Sequence, residues 1–499
     1  MNISYNWLKN YLSHDISIEA LSQILTGCGL EVESIEHFES VKGGLKGLVV
    51  GEVLETSRHP NADRLTITKV NVGNEMPAQI VCGAPNVAAG QKVVVALPGT
   101  TLYPLTGEPF EIKKSKIRGE ASEGMICAED EVGLGQSHDG IMVLAAEAIP
   151  GTPAINYFNV ETDHIFSIGL TPNRSDAASH FGVARDVRAV INTKAGKEEM
   201  KIVFPDISSF SSGKNPHQVT VSVEHEACMR YSGIHLTNVK VAESPQWLKN
   251  RLRAIGLKPV NNIVDITNFV LFETGQPLHA FDATKIKGKK VIVKSLPAGS
   301  GFVTLDGVNR KLSGTELMIC DADGGMCIAG VFGGAASGVS NETTEVFLES
   351  ACFDAVAVRK ASKFHGLKTD ASFRFERGAD PEMTLPALKR AAMLIAEIAG
   401  GQPVSETIDV YPRPLQPVVL DFDTRNFVRL TGVTADAATL SRILSWLDIE
   451  VLKQSGEILQ LRVPLYRVDV TREADVIEEI LRIIGYDNIP LPEKLNTAP

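Results

Sequence analysis

Residues 261–282, NNIVDITNFVLFETGQPLHAFD, set amides, a carboxylate, a hydroxyl and an imidazole into an apolar frame. Asn261, Asn262, Asp265, Thr267, Asn268, Gln276 and His279 each need a hydrogen-bond partner once buried, and Ile263, Val264, Ile266, Phe269 and Val270 argue that much of the segment is buried. That density of polar groups points to a pocket. His279 could orient or polarise a water, and Glu349 in LESACFD could accept a hydrogen bond from a substrate hydroxyl. Taken singly, a histidine and a glutamate of this kind are as well explained as satisfied core residues. Gly330, Gly333 and Gly334 in GVFGG either let backbone approach a ligand or form an ordinary tight turn. There is no Ser-His-Asp elbow and no catalytic cysteine motif, so the nucleophile expected here is water.

Three charged clusters could also carry function. Lys113, Lys114, Lys116 and Arg118 fall in one β-type segment, either a basic face for RNA or a strand edge guarded by lysines. Residues 359–377 hold six basic side chains (Arg359, Lys360, Lys363, Lys368, Arg374, Arg377) against Asp370 and Glu376, which suits phosphates as well as plain solvation. In YRVDVTREADVIEEILRIIGY, with Thr471 as N-cap, helical spacing puts Val476, Ile477, Ile480, Leu481 and Ile484 on one face and Asp475, Glu478, Glu479 and Arg482 on the other. Such an acidic face is either solvated or, with Asp469 upstream, a set of oxygen ligands for Mg²⁺.

The elements that must position these residues read as a multidomain α+β chain. At 499 residues, 44% of them hydrophobic and 22% charged, it can bury several cores. Its net charge of −11 confines any nucleic-acid contact to local basic patches. Seven scattered cysteines without a CxxC pair argue against disulfides and a zinc site. The first residues carry no signal pattern and no run is long enough to span a bilayer, so no membrane association and a cytoplasmic address are expected. The first 38 residues read as helical, with Ser17 as an N-cap. Residues 40–152 read as an inserted OB-type β-barrel built on LVVGEVLE, RLTITKVNV, QIVC, KVVVA and EIKKSKI, interrupting a discontinuous N-terminal α/β domain, 1–39 and 153–195. A large α/β domain covers 216–400, with Ser244 and Pro245 opening a helix. A small α/β domain, 405–488, carries the acidic helix. Walker A, dinucleotide and class I synthetase signatures are absent, so ATP is expected to bind elsewhere.

The stretch 261–282, with GVFGG at 330–334, LESACFD at 348–354 and HGLKTDASFRFERGADP at 365–381, resembles the beta subunit of bacterial phenylalanyl-tRNA synthetases. HPNADRL at 59–65, VCGAPNV at 81–87 and SKIRGEASEGMICAEDEVG at 115–133 resemble the tRNA-binding barrel shared by several synthetases and free-standing tRNA-binding proteins. The resemblance implies that 216–400 is an editing domain hydrolysing tyrosine wrongly attached to tRNA(Phe), with Thr267, Asn268, His279, Gly330 and Glu349 lining its pocket. It implies Mg²⁺ at Asp469, Asp475, Glu478 and Glu479, shared with an alpha subunit that itself binds ATP and phenylalanine in an alpha2beta2 assembly. Family members continue well beyond residue 499, so 489–499 is expected to be a linker. A non-catalytic tRNA-binding module, or a scaffold for the alpha subunit, is the alternative.

Overall fold

In LVVGEVLETSR alternation sends Leu48 and Val50 to one core and Val53 to another on the opposite face, and in the computed structural model the segment forms the long strand Leu48–Arg58. The structure describes residues 1–216 and 218–489, which fall into two units: 37–163, and 1–36 together with the chain from 164 onward. In the first unit an antiparallel sheet runs in the order Met125–Ile126, Lys92–Ala96, Leu48–Arg58, Thr66–Asn71, Ala78–Cys82. Val93–Ala96 are apolar in succession because the strand Lys92–Ala96 lies between two small cores, Val94 and Ala96 facing one and Val93 and Val95 the other. A bulge between Val53 and Glu55 bends the long strand. At Gly51 a Cβ would sit 2.6 Å from Val95 and 2.8 Å from Val70, so only glycine fits the bend. The far edge returns on itself: Val81 N–H donates to Ser122 Oγ (3.1 Å) and Glu123 N–H to the Gln79 carbonyl (2.8 Å), leaving a nearly closed, barrel-like sheet.

EIKKSKI does not supply one of these five strands. Phe110–Glu111 pairs with Thr101–Leu102, Ser115–Ile117 pairs with Glu120–Ser122, and Lys113 and Lys114 lie in the connection between them. Its charge-rich pattern has no apolar face to bury, so it forms an outlying hairpin.

In the second unit a three-stranded sheet is made by Asn2–Ser4, Thr162–Gly169 and Glu31–Glu39. The opening residues are therefore only partly helical: Ile18–Gly27 is a helix, with Ser17 accepting from the Ala20 N–H, and strands flank it. Two separate cores lie on either side of one antiparallel sheet, ordered Leu278–Asp282, Val346–Phe353, Cys228–Thr237, with Gln402–Pro403 and Ile408–Val410 beyond. Helices Asn262–Thr274 and Thr384–Ala399 cover one face through Ile234, Leu236, Val346 and Leu348. A second five-stranded sheet, which includes Lys290–Lys294 and Met318–Cys320, packs on the other through Tyr231, Phe281, Phe347 and Ala351. All eight residues of Val346–Phe353 are buried.

Residues 418–484 form a three-stranded antiparallel sheet with helices Thr424–Thr431, Ala437–Trp446 and Glu473–Ile484 around Phe422, Phe427, Leu461 and Ile480. The last helix is capped one residue later than expected, at Arg472, and Asp475 accepts from the N–H groups of both Thr471 and Arg472. No helix among the described residues is long and apolar enough to cross a membrane, and all seven cysteines are free and buried. Of the expected linker 489–499, all but Ile489 lies outside the described residues.

Buried ion pairs tie this last helix to helix His180–Ala195. Arg482 bonds to Asp186 (2.9 Å) and Glu479 (2.9 Å), Arg467 bonds to Glu479 and to Asp469 (3.1 Å), and Arg174 bonds to Asp176 (2.9 Å) and Asp186. Removing one member leaves a charge buried and unpaired. We expect Glu479→Ala to cost about 3–5 kcal/mol and Glu478→Ala, at an exposed neighbour, within about 0.5 kcal/mol. Amide hydrogen exchange across Glu473–Ile484 measures both, and equal loss of protection in the two variants would contradict the pairing argument.

Candidate functional site

Helix Asn262–Thr274 begins where the Asn261 side chain accepts the N–H groups of Ile263 and Val264, and ends at Gly275, whose φ of +85° turns the chain back. The return strand, Leu278–Asp282, pairs with Val346–Phe353 so that His279 stands directly opposite Glu349. Thr267 and Asn268 from the helix, His279 and Glu349 from the strands, and Gly330 from the turn before Phe332–Gly333 meet around one cavity of about 270 Å³. Its remaining wall is mainly apolar, with Leu271, Leu305, Phe332, Phe353 and Phe375 among the lining residues. Thr369, Asp370 and Ala371 close another side from helix Asp370–Phe375, which is held by a capping box between Thr369 and Ser372.

The opening polar stretch thus divides in two. Thr267, Asn268 and His279 line the cavity, whereas Asn261, Asn262, Asp265 and Gln276 are structural. Asn262 binds the Lys240 carbonyl and the Ala242 N–H, Asp265 accepts from Ser244 Oγ and the Val260 N–H, and Gln276 donates to the Pro277 and Ala351 carbonyls. Ser244 accordingly does not cap the helix Gln246–Ala254.

Glu349 is 5% exposed, and among the described residues its carboxylate is reached by a single donor, the Tyr231 hydroxyl, at 2.5 Å from Oε2. Burial pushes the carboxyl up to about 7, with the Tyr231 bond pulling against it. Burial also brings His279 down to about 4, so its imidazole is neutral at pH 7. No hydrogen bond to the His279 ring occurs among the described residues; the ring stacks edge-on against Phe281 with centroids 4.4 Å apart. A Cβ on Gly333 would lie 2.9 Å from His279 Cε1 and 2.9 Å from Leu305, so this glycine makes room for the imidazole. Gly330 adopts φ +69°, and a Cβ there would meet Phe375 at 2.8 Å. Such a site can hold an aromatic ring among apolar walls, accept a hydrogen bond at Glu349 and hold water at a neutral imidazole.

In the other unit His59 and Asn61 of HPNADRL bind the carbonyls of Ile117 (3.0 Å) and Arg118 (3.3 Å), fixing the turn that presents Lys116 and Arg118. All four basic side chains there are exposed, but Lys113 pairs with Glu111 at 3.4 Å and Lys114 with Glu123 at 3.0 Å. The 359–377 cluster is not one surface. Arg374 is buried against the Ala178 carbonyl and Arg377 bonds the Phe373 carbonyl, whereas Arg359, bonded to the Glu376 carbonyl, is exposed together with Lys360, Lys363 and Lys368.

Three of the four acids proposed for magnesium, Asp469, Asp475 and Glu479, face guanidinium groups, and Glu478 is exposed. Although burial pushes the Glu479 carboxyl up, Arg482 and Arg467 hold it well below the usual carboxylate range, and both its oxygens are taken. Asp469 is held by Arg467, and Asp475 caps its helix while bonding Arg472. No group of three or more potential ligands gathers as a metal site among the described residues. Within this chain alone the set does not fit a magnesium ion, and no chemical step below runs through one.

Sequence reasoning missed Tyr231 and the cavity residues of 369–371. Nothing in CMRYSGIHLT marks Tyr231, whose partner lies 118 residues away. The segment 369–371 drew attention only as part of a basic run.

Three family models match: "Putative tRNA binding domain" over 48–153, "B3/4 domain" over 227–400, and "tRNA synthetase B5 domain" over 420–486. The phenylalanine–tRNA ligase beta subunit of Bacteroides fragilis (strain YCH46) is 53% identical over 499 residues, covering 100% of this chain and 60% of that protein. Its counterpart from Porphyromonas gingivalis is 51% identical over 492 residues, 98% of this chain and 60% of the relative. Among solved structures, an N-terminal fragment of the phenylalanyl-tRNA synthetase beta subunit from Pyrococcus horikoshii aligns at 12% identity with a TM-score of 0.39, over 97% of this chain and 99% of that one. The chain spans about 60% of the length of the curated relatives it matches, and over that span it belongs to the phenylalanine–tRNA ligase beta subunit family.

Proposed function

We propose that this chain binds tRNA and hydrolyses tyrosine wrongly esterified to tRNA(Phe). The observation that carries this reading is the convergence of Thr267, Asn268, His279, Gly330 and Glu349 on one cavity with apolar walls. The tyrosyl ring would lie among the apolar side chains with its phenol donating to Glu349. A phenylalanyl ring would leave that buried acceptor unpaired, a difference that can discriminate by orders of magnitude. Neutral His279 would hold the attacking water and accept its proton as the ester carbonyl is attacked; the tRNA 3′-terminal hydroxyl leaves with a proton and free tyrosine is released. In this reading residues 216–400 are the editing domain, and 40–152 are an OB-type tRNA-binding barrel inserted between 1–39 and 153–195. Residues 405–488 serve the interface with an alpha subunit, which would bind ATP, share magnesium and carry out aminoacylation in an alpha2beta2 assembly in the cytoplasm.

Incubating the chain with tyrosyl-tRNA(Phe) tests the reading. Release of tyrosine should exceed the spontaneous rate, and no excess would leave a non-catalytic tRNA-binding or scaffold module. His279→Ala should cost roughly 10²-fold or more in rate. Because Glu349 ionises near 7 and the carboxylate is the stronger acceptor for the phenol, activity should rise through about pH 7 to a plateau. His279 stays neutral over that range, so no separate limb near 6.5 is expected. Glu349→Gln should flatten the rise; a wild-type profile flat from pH 6 to 8 would remove Glu349 from this role.

Gly333→Ala should push the imidazole aside and slow hydrolysis by about tenfold while leaving tRNA affinity unchanged; wild-type rates would show the ring has room to move. For the barrel, Lys116→Ala and Arg118→Ala should each weaken tRNA binding and lower the salt-dependence slope by about 1. Lys114→Ala, already paired with Glu123, should do less. Filter binding across a salt series reads both effects.

A further inference from the structure

We infer that Tyr231 is a positioning residue of the hydrolytic pocket: its hydroxyl fixes one oxygen of Glu349 so that the other is presented to the phenol of a bound tyrosyl group. This rests on the editing reading above and names how its specificity is set.

The strand pairing makes the arrangement. Glu349 has His279 opposite it on one neighbouring strand and Gly233 on the other. The space a Gly233 side chain would need is filled by the Phe347 ring, 2.4 Å from where a Cβ would stand. Tyr231, two residues along the same strand and paired with Ala351, is therefore the diagonal neighbour, within reach of a long aromatic side chain. Its ring is fully buried in the core between the sheets, and its hydroxyl spends its proton on Glu349 Oε2 at 2.5 Å. Glu349 Oε1 has no protein partner among the described residues, and the residue lines the cavity. A carboxylate held by one oxygen cannot turn away to satisfy itself elsewhere, so the free oxygen stays directed at the ligand.

The other titratable groups facing Glu349 are His279 on the adjacent strand and the buried thiols of Cys228 and Cys327, with Cys327 itself lining the cavity. Burial holds these thiols protonated and His279 neutral at pH 7, so none of them supplies the counter-charge that Tyr231's hydrogen bond partly replaces.

Tyr231→Phe keeps the buried ring and removes only the hydroxyl. Three readouts on the full chain separate positioning from a purely structural role. Hydrolysis of tyrosyl-tRNA(Phe) should lose about tenfold, mainly in KM, with the rise in its pH profile moving upward by about one unit. The preference for free L-tyrosine over L-phenylalanine in calorimetric binding should shrink by a similar factor. In a Glu349→Gln background the same substitution should add little, as coupling through one carboxyl requires. A Tyr231→Phe chain that melts like wild type and keeps rate, profile and tyrosine preference within twofold overturns the inference. If wild type binds tyrosine selectively and Tyr231→Phe erodes that selectivity but neither hydrolyses the ester, the editing reading fails and the positioning role stands. If wild type neither selects tyrosine nor hydrolyses, both fall.

Discussion

A carboxylate placed inside a fully buried strand has to be answered by its surroundings, and in this chain Glu349 is answered by a phenol instead of a cation. The strand Val346–Phe353 is central because both faces of its sheet are covered, by helices on one side and a second sheet on the other. Its register then decides everything nearby: His279 opposite, Gly233 empty, Tyr231 on the diagonal. A one-residue slip would turn Glu349 toward the helices and Leu348 toward the cavity. The cavity exists only in the register that is observed.

The chain contains a second buried glutamate whose contrast explains what the first is for. Glu479 lies between Arg467 and Arg482 and is kept charged, and Arg482 in turn reaches Asp186 on helix His180–Ala195. Glu349 has no such partner, so burial leaves its carboxyl near 7, poised between two states at working pH. Identical side chains are thus committed to structure in one place and left available in the other, and the number of guanidinium groups decides which. The same contrast explains why Asp475 and Glu479 of the last helix, suggestive as metal ligands by spacing, are spoken for by arginines.

Much of this was legible in the sequence wherever periodicity and capping chemistry operate. Ser17 announced a helix, and the short β-rich runs LVVGEVLE and KVVVA announced strands. EIKKSKI misled because a β-like texture without an apolar face specifies a hairpin as readily as a barrel strand. The cavity was readable only in part: Thr267, Asn268, His279, Gly330 and Glu349 come together, but spacing could not separate them from Asn261, Asn262, Asp265 and Gln276. Buried polar residues all demand partners, and the sequence does not say whether a partner is backbone or ligand. Tyr231 was invisible because its function is a contact across 118 residues.

Those structural polar residues are still part of how the site works. Asn262 holds the chain at Lys240 and Ala242, Asp265 holds Ser244 and Val260, and Gln276 bonds the carbonyl of Ala351, the residue paired with Tyr231. The helix bearing Thr267 and Asn268 is thereby anchored at its start, and the reversal leading to His279 is anchored on the strand that carries Glu349. A pocket of the proposed kind, telling one hydroxyl from none, would require its acceptor to be placed within a fraction of an ångström, because a loose carboxylate would find water or rotate to a neighbour. Apolar packing alone is non-directional and tolerates small slides; directional bonds from buried amides do not. The polar density of 261–282 is therefore best understood as three side chains that line the cavity and four that fix where the three are.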